Sequence, residues 1–255
     1  QLPDMAPVVG TQISMTTYDE VLDLLVDRPS DRATVVAVCN VHSVMSARRD
    51  PDLRRALDSC DVATPDGVPL VWTLRRTANP GQLRVYGPVI MRRALADVRE
   101  PGLRHYIYGS TPETLQALEE AIAATAPHAR IVGSFSPPFA PHTAISDAAD
   151  AERIRSSGAD VVWVGLGMPK QELWMHRMAP SLPGVALVGV GAAFDFIAGT
   201  VPEAPEWMMK AGLEWLYRLS REPRRLWRRY LWNNPMFMVL VARQLLAQGR
   251  RARRT

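Results

Sequence analysis

The residues best suited to chemistry lie in the segment Val161-Val-Trp-Val-Gly-Leu-Gly-Met-Pro-Lys-Gln-Glu-Leu-Trp174. Gly165 and Gly167 end an apolar run, Pro169 stands where a helix should begin, and Lys170, Gln171 and Glu172 fill its first turn. A glycine turn opening into a helix N-terminus presents unsatisfied backbone N–H groups and a positive dipole end to an anion. Lys170 adds a mobile cation there, so the segment suits a diphosphate, with Gln171 and Glu172 placed for the hydroxyls of a sugar or ribose. A tight βα turn whose glycines only solve a steric problem reads the same way, and the spacing does not choose between the two. A second segment, Val185 to Gly199, repeats the pattern: Gly189 and Gly191 close an apolar run, and Asp195 follows between Phe194 and Phe196. A third candidate is Asp66 in Pro65-Asp66-Gly67, which is either a turn signal or a carboxylate at a strand end facing a cleft.

These groups meet only if strands bring them to one edge. Short apolar runs at Ala33–Cys39, Asp61–Pro65, His105–Tyr108, Arg130–Gly133, Val161–Val164 and Val185–Val188 read as buried strands. Residues 8–27 read as a short strand and a helix, the helix opened by the capping-box pair Thr17 and Glu20 and burying Val21, Leu24 and Leu25; helical stretches at Ser43–Leu57 and Ala144–Ser156 alternate with the later strands. A further helix follows Gly109, where Ser110 and Glu113 have capping-box spacing. The alternation predicts an α/β fold, a Rossmann-like wound parallel sheet whose glycine turns share the C-terminal edge of the strands. Ser134–His142 reads as a proline-rich loop near that edge. Asp50-Pro-Asp52 resembles a metal-diphosphate motif, but Pro51 inside a charged helical stretch reads as a new helix start. The five histidines show no metal-ligand spacing, so neither a metal site nor a cofactor is expected.

The net charge of +4 hides an asymmetry. Residues 212–255 hold eleven arginines and two glutamates, a net +9, which leaves −5 on the rest of the chain. Basic charge confined to a tail argues against nucleic acid and for an anionic surface. Arg218, Arg221, Arg225 and Arg228 recur at helical spacing, interleaved with Trp207, Trp215, Trp227, Trp232 and Phe237, and Pro223 is expected to divide this region into two helices. The predicted organisation is a core over residues 1–202 and a C-terminal helical, arginine-rich membrane-associating appendage over 203–255. No run reaches the ~20 apolar residues of a membrane-spanning helix. Cys39 and Cys60 read as small apolar residues rather than a disulfide.

Gly165–Trp174, Gly189–Gly199 and Glu214-Trp-Leu-Tyr-Arg-Leu-Ser-Arg-Glu-Pro-Arg-Arg225, in that order, resemble the WecG/TagA/CpsF family, glycosyltransferase family 26, over most of the chain. The resemblance implies an inverting, metal-independent glycosyltransferase. It would move a sugar of N-acetylmannosamine type, or glucose, from a UDP-sugar to a polyprenyl-diphosphate-linked saccharide in cell-surface polysaccharide or teichoic acid synthesis. It implies Asp66 as catalytic base, Asn40 and Arg84 beside the substrates, and Gly109 and Ser110 at the nucleotide. Gly165, Gly167, Lys170, Gln171, Glu172 and Asp195 would complete the donor pocket. The tail arginines would meet the lipid diphosphate or anionic headgroups, with the protein peripheral on the inner face of the plasma membrane. A homo-oligomer is left open. The chain departs from the family pattern at Val38, where threonine is common, at Pro69 in place of glycine, at Val89 in place of aspartate and at Glu203 in place of arginine. These departures support an alternative, a non-catalytic module that binds a nucleotide or lipid headgroup.

Overall fold

The computed structural model describes residues 1–99, 102–138 and 147–252; the side chains of residues 225, 228, 229 and 250–252 lie outside the description. The chain opens not with a single strand but with a hairpin, β1 (Met5–Val8) and β2 (Thr11–Ser14), paired antiparallel. Val9 and Gly10 turn it with φ of 50° and 87°, the positive pair that a two-residue hairpin loop requires. Helix α1 (Tyr18–Val26) follows with its capping box formed: the Thr17 side chain accepts from Glu20 N–H, and the Glu20 carboxylate accepts from Thr17 N–H. Val21, Leu22 and Leu25 are its buried residues, with Leu24 half-buried beside them.

Strand β3 (Thr34–Cys39) leads to α2 (Val41–Ala47) and α3 (Pro51–Asp58), then to β4 (Val62–Pro65) and α4 (Val68–Thr77). The helical stretch over 43–57 divides at Pro51 as its sequence predicts: Asp50 caps α3 by accepting from Asp52 and Leu53 N–H, and Pro51 takes its first position. Next come α5 (Gly87–Leu95), β5 (Arg104–Gly109), α6 (Pro112–Thr125), β6 (Arg130–Phe135) and α7 (Asp147–Ser157). The cap of α6 is Thr111, accepting from Thr114 N–H, and not the expected Ser110. Ser110 instead continues the strand-end turn with φ 60°, so its backbone is not in the extended form an N-cap adopts. The expected loop past residue 138 and the helix start at 144–146 lie outside the described residues. The series closes with β7 (Val161–Gly165), α8 (Lys170–Met178), β8 (Ala186–Gly189), α9 (Ala193–Ile197), α10 (Glu206–Lys210), α11 (Glu214–Arg221) and α12 (Pro223–Ala252). Pro223 divides α11 from α12, as its position predicts.

Strands β3 to β8 form one parallel sheet in the order β4-β3-β8-β7-β5-β6. Both faces are covered, which is why these strands read as unbroken apolar runs. On β3, Val35, Ala37 and Cys39 enter one cluster with Val44, Leu53, Leu70 and Trp174, while Val36 and Val38 enter another with Leu25, Ile90, Leu118 and Phe194. Trp163 and Val164 of β7 divide the same way, the period-2 signature of a strand between two helical layers. The arrangement is a Rossmann-like wound sheet. Phe237 and Val241 of α12 are fully buried in the first cluster, and Gln244 accepts from Val9 N–H at 2.8 Å.

β7 and β8 are neighbours, so both glycine turns stand on one sheet edge. The edge is tight where β5 joins it: a Cβ on Gly109 would lie 2.7 Å from the Gly165 carbonyl, and Ser110 N–H donates to that carbonyl at 3.1 Å. Gly109→Ala is therefore expected to cost about 2 kcal/mol, from overpacking and from a φ of +120°. In a melting experiment this appears as a loss of roughly 4–8 °C. An unchanged melting temperature would show that this junction tolerates a side chain.

Candidate active site

The C-terminal ends of β4, β3, β8 and β7 open onto a cleft of about 750 Å³, roofed from the other side by α11 and α12. Asn40, Asp66, Arg84, Gly165, Gly167, Gln171, Glu172, Asp195 and Arg218 all line it. Gly109 and Ser110 stand behind its wall, against Gly165. Lys170 takes the first position of α8 and Arg221 an exposed position at the end of α11; neither lines the cleft. The side chains of Arg225 and Arg228 lie outside the described residues.

Asp66 is fixed through its backbone. Its N–H donates to Cys39 O at 2.7 Å and to Thr64 O at 3.1 Å, which ties the residue after β4 to the end of β3. Gly67 follows with φ 143° and opens α4, and Pro69 then occupies the first turn of that helix, where proline costs nothing. The Asp66 carboxylate is 13% exposed and accepts from Arg84 Nε at 2.8 Å. Arg84 also donates from Nη2 to Glu214 Oε2 at 2.7 Å and lies 4.2 Å from the centre of the Tyr86 ring. Burial alone would lower the Arg84 pKa, but Asp66 and Glu214 reverse this and hold it above the ordinary arginine range. Burial pushes the Glu214 carboxyl up, and Asp66 adds to it, against the pull of Arg84. Arg84 is therefore not a solvated surface arginine, the other reading its type allows: its side chain is 21% exposed and carries two carboxylate partners.

Asn40 caps α2: its Oδ1 accepts from His42 and Ser43 N–H at 2.9 and 3.3 Å. Gln171 is buried beneath the two glycine turns. Its Oε1 accepts from Gly191 N–H at 3.1 Å and its Nε2 donates to Glu172 Oε1 at 2.8 Å, so it couples α8 to the turn after β8. Glu172 is 2% exposed, and its Oε2 takes no hydrogen bond from the described residues. Burial pushes this carboxyl up to about 7, against the hydrogen bond from Gln171.

Folded Glu172 holds its proton to higher pH than the unfolded chain, so stability is greatest below the ordinary value of 4.5 and falls as pH rises towards about 7. Glu172→Gln should remove that slope and gain on the order of 3 kcal/mol at pH 8. Urea unfolding across this range checks it, and an unchanged slope in the variant would assign the pH dependence elsewhere.

Several cleft residues carried no separate signal in the sequence. Tyr86, His42 and Asn233 all line the cleft, and Asn233 lies 3.1 Å from His42 Nδ1. Asn233 and Asn234, adjacent amides within an apolar and arginine-rich helix, were the visible hint. Glu214 lay inside a recognised block but had no role there. Arg218 lines the cleft with its guanidinium 5.6 Å from the Phe196 ring, so the arginine of α11 meets the segment that carries Asp195. Glu203 pairs with Arg92 of α5 at 2.9 Å, which gives this departure a structural partner. Asp50 and Asp52 do not line the cleft: one caps α3 and the other pairs with Arg55. Among the described residues no group of three His, Cys, Asp or Glu is placed to hold a metal.

A model of the glycosyl transferase WecG/TagA/CpsF family matches residues 6–251. The chain belongs to this family. Among curated relatives, the N-acetylglucosaminyldiphosphoundecaprenol N-acetyl-beta-D-mannosaminyltransferase of Bacillus subtilis (strain 168) is 29% identical over 210 residues, covering 82% of this chain and 79% of the relative. The protein is thus a glycosyltransferase, and its cleft brings Asp66, the glycine turns and Arg218 of α11 together.

Proposed function

We propose that this protein transfers a sugar of N-acetylmannosamine type, or glucose, from a UDP-sugar to a saccharide linked to polyprenyl diphosphate, with inversion and without a metal ion. The observation that carries this is the meeting of Asp66, both glycine turns and two arginines in one cleft. The relative's name, an N-acetylmannosaminyl transfer onto a diphosphoundecaprenol-linked sugar, supports the transferred sugar of N-acetylmannosamine type and the lipid-linked acceptor class. Asp66 takes the proton from the acceptor hydroxyl while that oxygen bonds to C1 of the donor sugar. The bond from C1 to the diphosphate oxygen breaks, and UDP leaves with the electron pair. Its charge is met by N–H groups of the Gly165–Lys170 turn and by Arg218. Retention of Asp66 in a formed cleft favours this over a non-catalytic module, whatever the side chains at Val38 and Val89.

Residues 203–255 act in this reading as the appendage that meets the membrane. No helix among the described residues is long and apolar enough to cross one. Trp207, Trp227, Leu231, Trp232 and Leu246 are nonetheless exposed on α10 and α12, which supports peripheral attachment to an anionic leaflet.

Calorimetric titration with UDP tests the donor part. Gly167 has φ 72°, and a Cβ added to it would meet nothing within 4 Å, so a side chain there extends into open space on the cleft wall. Gly167→Val should weaken UDP binding by about tenfold or more, through backbone strain and a blocked helix N-terminus. Excess EDTA should leave both binding and turnover unchanged. Wild-type affinity in Gly167→Val, or EDTA inhibition reversed by Mn²⁺, would contradict the donor site as drawn.

A further inference from the structure

The contact between Arg84 and Asp66 is unusual in form. The Nε and Nη2 edge of an arginine ordinarily lies along a carboxylate with one nitrogen on each oxygen. Here both nitrogens approach the same oxygen, Asp66 Oδ1, at 2.8 and 2.7 Å. The hydrogen bond from Nη2 goes to Glu214 Oε2, at 2.7 Å. No hydrogen bond from the described residues reaches Asp66 Oδ2. The arginine is held on this line by the Tyr86 ring at 4.2 Å, and Tyr86 N–H in turn donates to the Tyr18 hydroxyl at 3.0 Å. Glu214 comes from α11, whose residues Glu214, Trp215 and Arg218 line the cleft.

We propose that Glu214 is a positioning residue for the transfer: by sharing Arg84 with Asp66 it draws the guanidinium off Asp66 Oδ2 and leaves that oxygen open to the acceptor hydroxyl. The inference rests on Asp66 being the base. Without Glu214, Arg84 is free to close its fork over both Asp66 oxygens, and the acceptor proton then has to displace a charge-assisted hydrogen bond. The same link makes the open base conditional on α11 being docked. A residue that only fastened α11 would leave the chemical step alone.

Three variants separate these roles, each with its melting temperature recorded. Glu214→Ala should lower kcat by about tenfold or more with the UDP-sugar KM unchanged. Glu214→Gln should keep most of kcat, because its amide oxygen accepts the same Nη2 hydrogen. In an Arg84→Lys background, where a point ammonium cannot fork, Glu214→Ala should add little further loss. Glu214→Leu, similar in length and without an acceptor, takes the place of the alanine variant if that one does not fold. Wild-type kcat in Glu214→Ala, a change confined to KM, or equal losses in the Ala and Gln variants would each overturn the proposal. Asp66→Asn serves as the control. If it turns over normally, the reading of Asp66 as base has failed; if it is inactive while Glu214→Ala is normal, only the role of Glu214 has.

Discussion

Asp66→Asn is expected to lower acceptor-dependent turnover by ~10²–10⁴-fold, the usual loss when a general base is removed, while UDP affinity and melting temperature stay near wild type. The substitution is close to isosteric. The asparagine amide oxygen can still accept from Arg84, whose other carboxylate partner, Glu214, remains. The backbone bonds from Asp66 N–H to Cys39 and Thr64 hold the turn regardless of the side chain. What is lost is the ability to take a proton from the attacking hydroxyl. Near-native turnover in Asp66→Asn would return this residue to its other reading, a turn aspartate ahead of α4.

The second large effect is on membrane attachment. The full chain should sediment with vesicles rich in phosphatidylglycerol at low salt and be released at high salt, since charge attraction is screened within about 10 Å at 0.1 M. Each arginine near such a surface contributes on the order of 1 kcal/mol. Charge reversal at Arg221, Arg225 and Arg228 together should therefore weaken vesicle binding by roughly a hundredfold or more. Substitution of the exposed Trp207 and Trp232 by serine should weaken it further at high salt, where burial of apolar surface remains. Point substitution is preferable to truncation after residue 202, which would strip Phe237 and Val241 from the core and expose the surface they cover. A full chain that ignores these vesicles at low salt would leave the tail as a packing element only.

Much of this architecture was legible because local signals and tertiary structure agree. The Thr17–Glu20 capping box, the Pro51 helix start, the adjacent glycine-terminated strands and the Pro223 division all formed as their residue types dictate. The sequence misled where two residues compete for one role. Ser110 and Thr111 both suit a cap, and the close approach of Gly109 to Gly165 draws Ser110 into a left-handed turn and leaves the cap to Thr111. The hairpin at Val9-Gly10 was missed because a valine at positive φ carries no turn signal.

For the site, residues at strand ends were readable, since sheet order brings those ends together. The long-range partners were not: Arg84 to Glu214 spans 130 positions and Arg49 to Asn233 spans 184, and no local pattern encodes either. Gln171 shows the same limit from the other side. Its type suggested a sugar contact, while its amide is engaged with Gly191 and Glu172 inside the protein.

The most direct test of the central claim is a product assay. The purified full chain is incubated with UDP-N-acetylmannosamine, and separately with UDP-glucose, together with N-acetylglucosaminyl diphosphate on a short polyprenyl chain and excess EDTA. The account predicts UDP release that depends on the acceptor, and a lipid-linked disaccharide in mass spectra with its new anomeric centre inverted relative to the donor. It also predicts that both signals vanish in Asp66→Asn. UDP release without a glycosylated lipid, or an equal yield of disaccharide from Asp66→Asn, would contradict it.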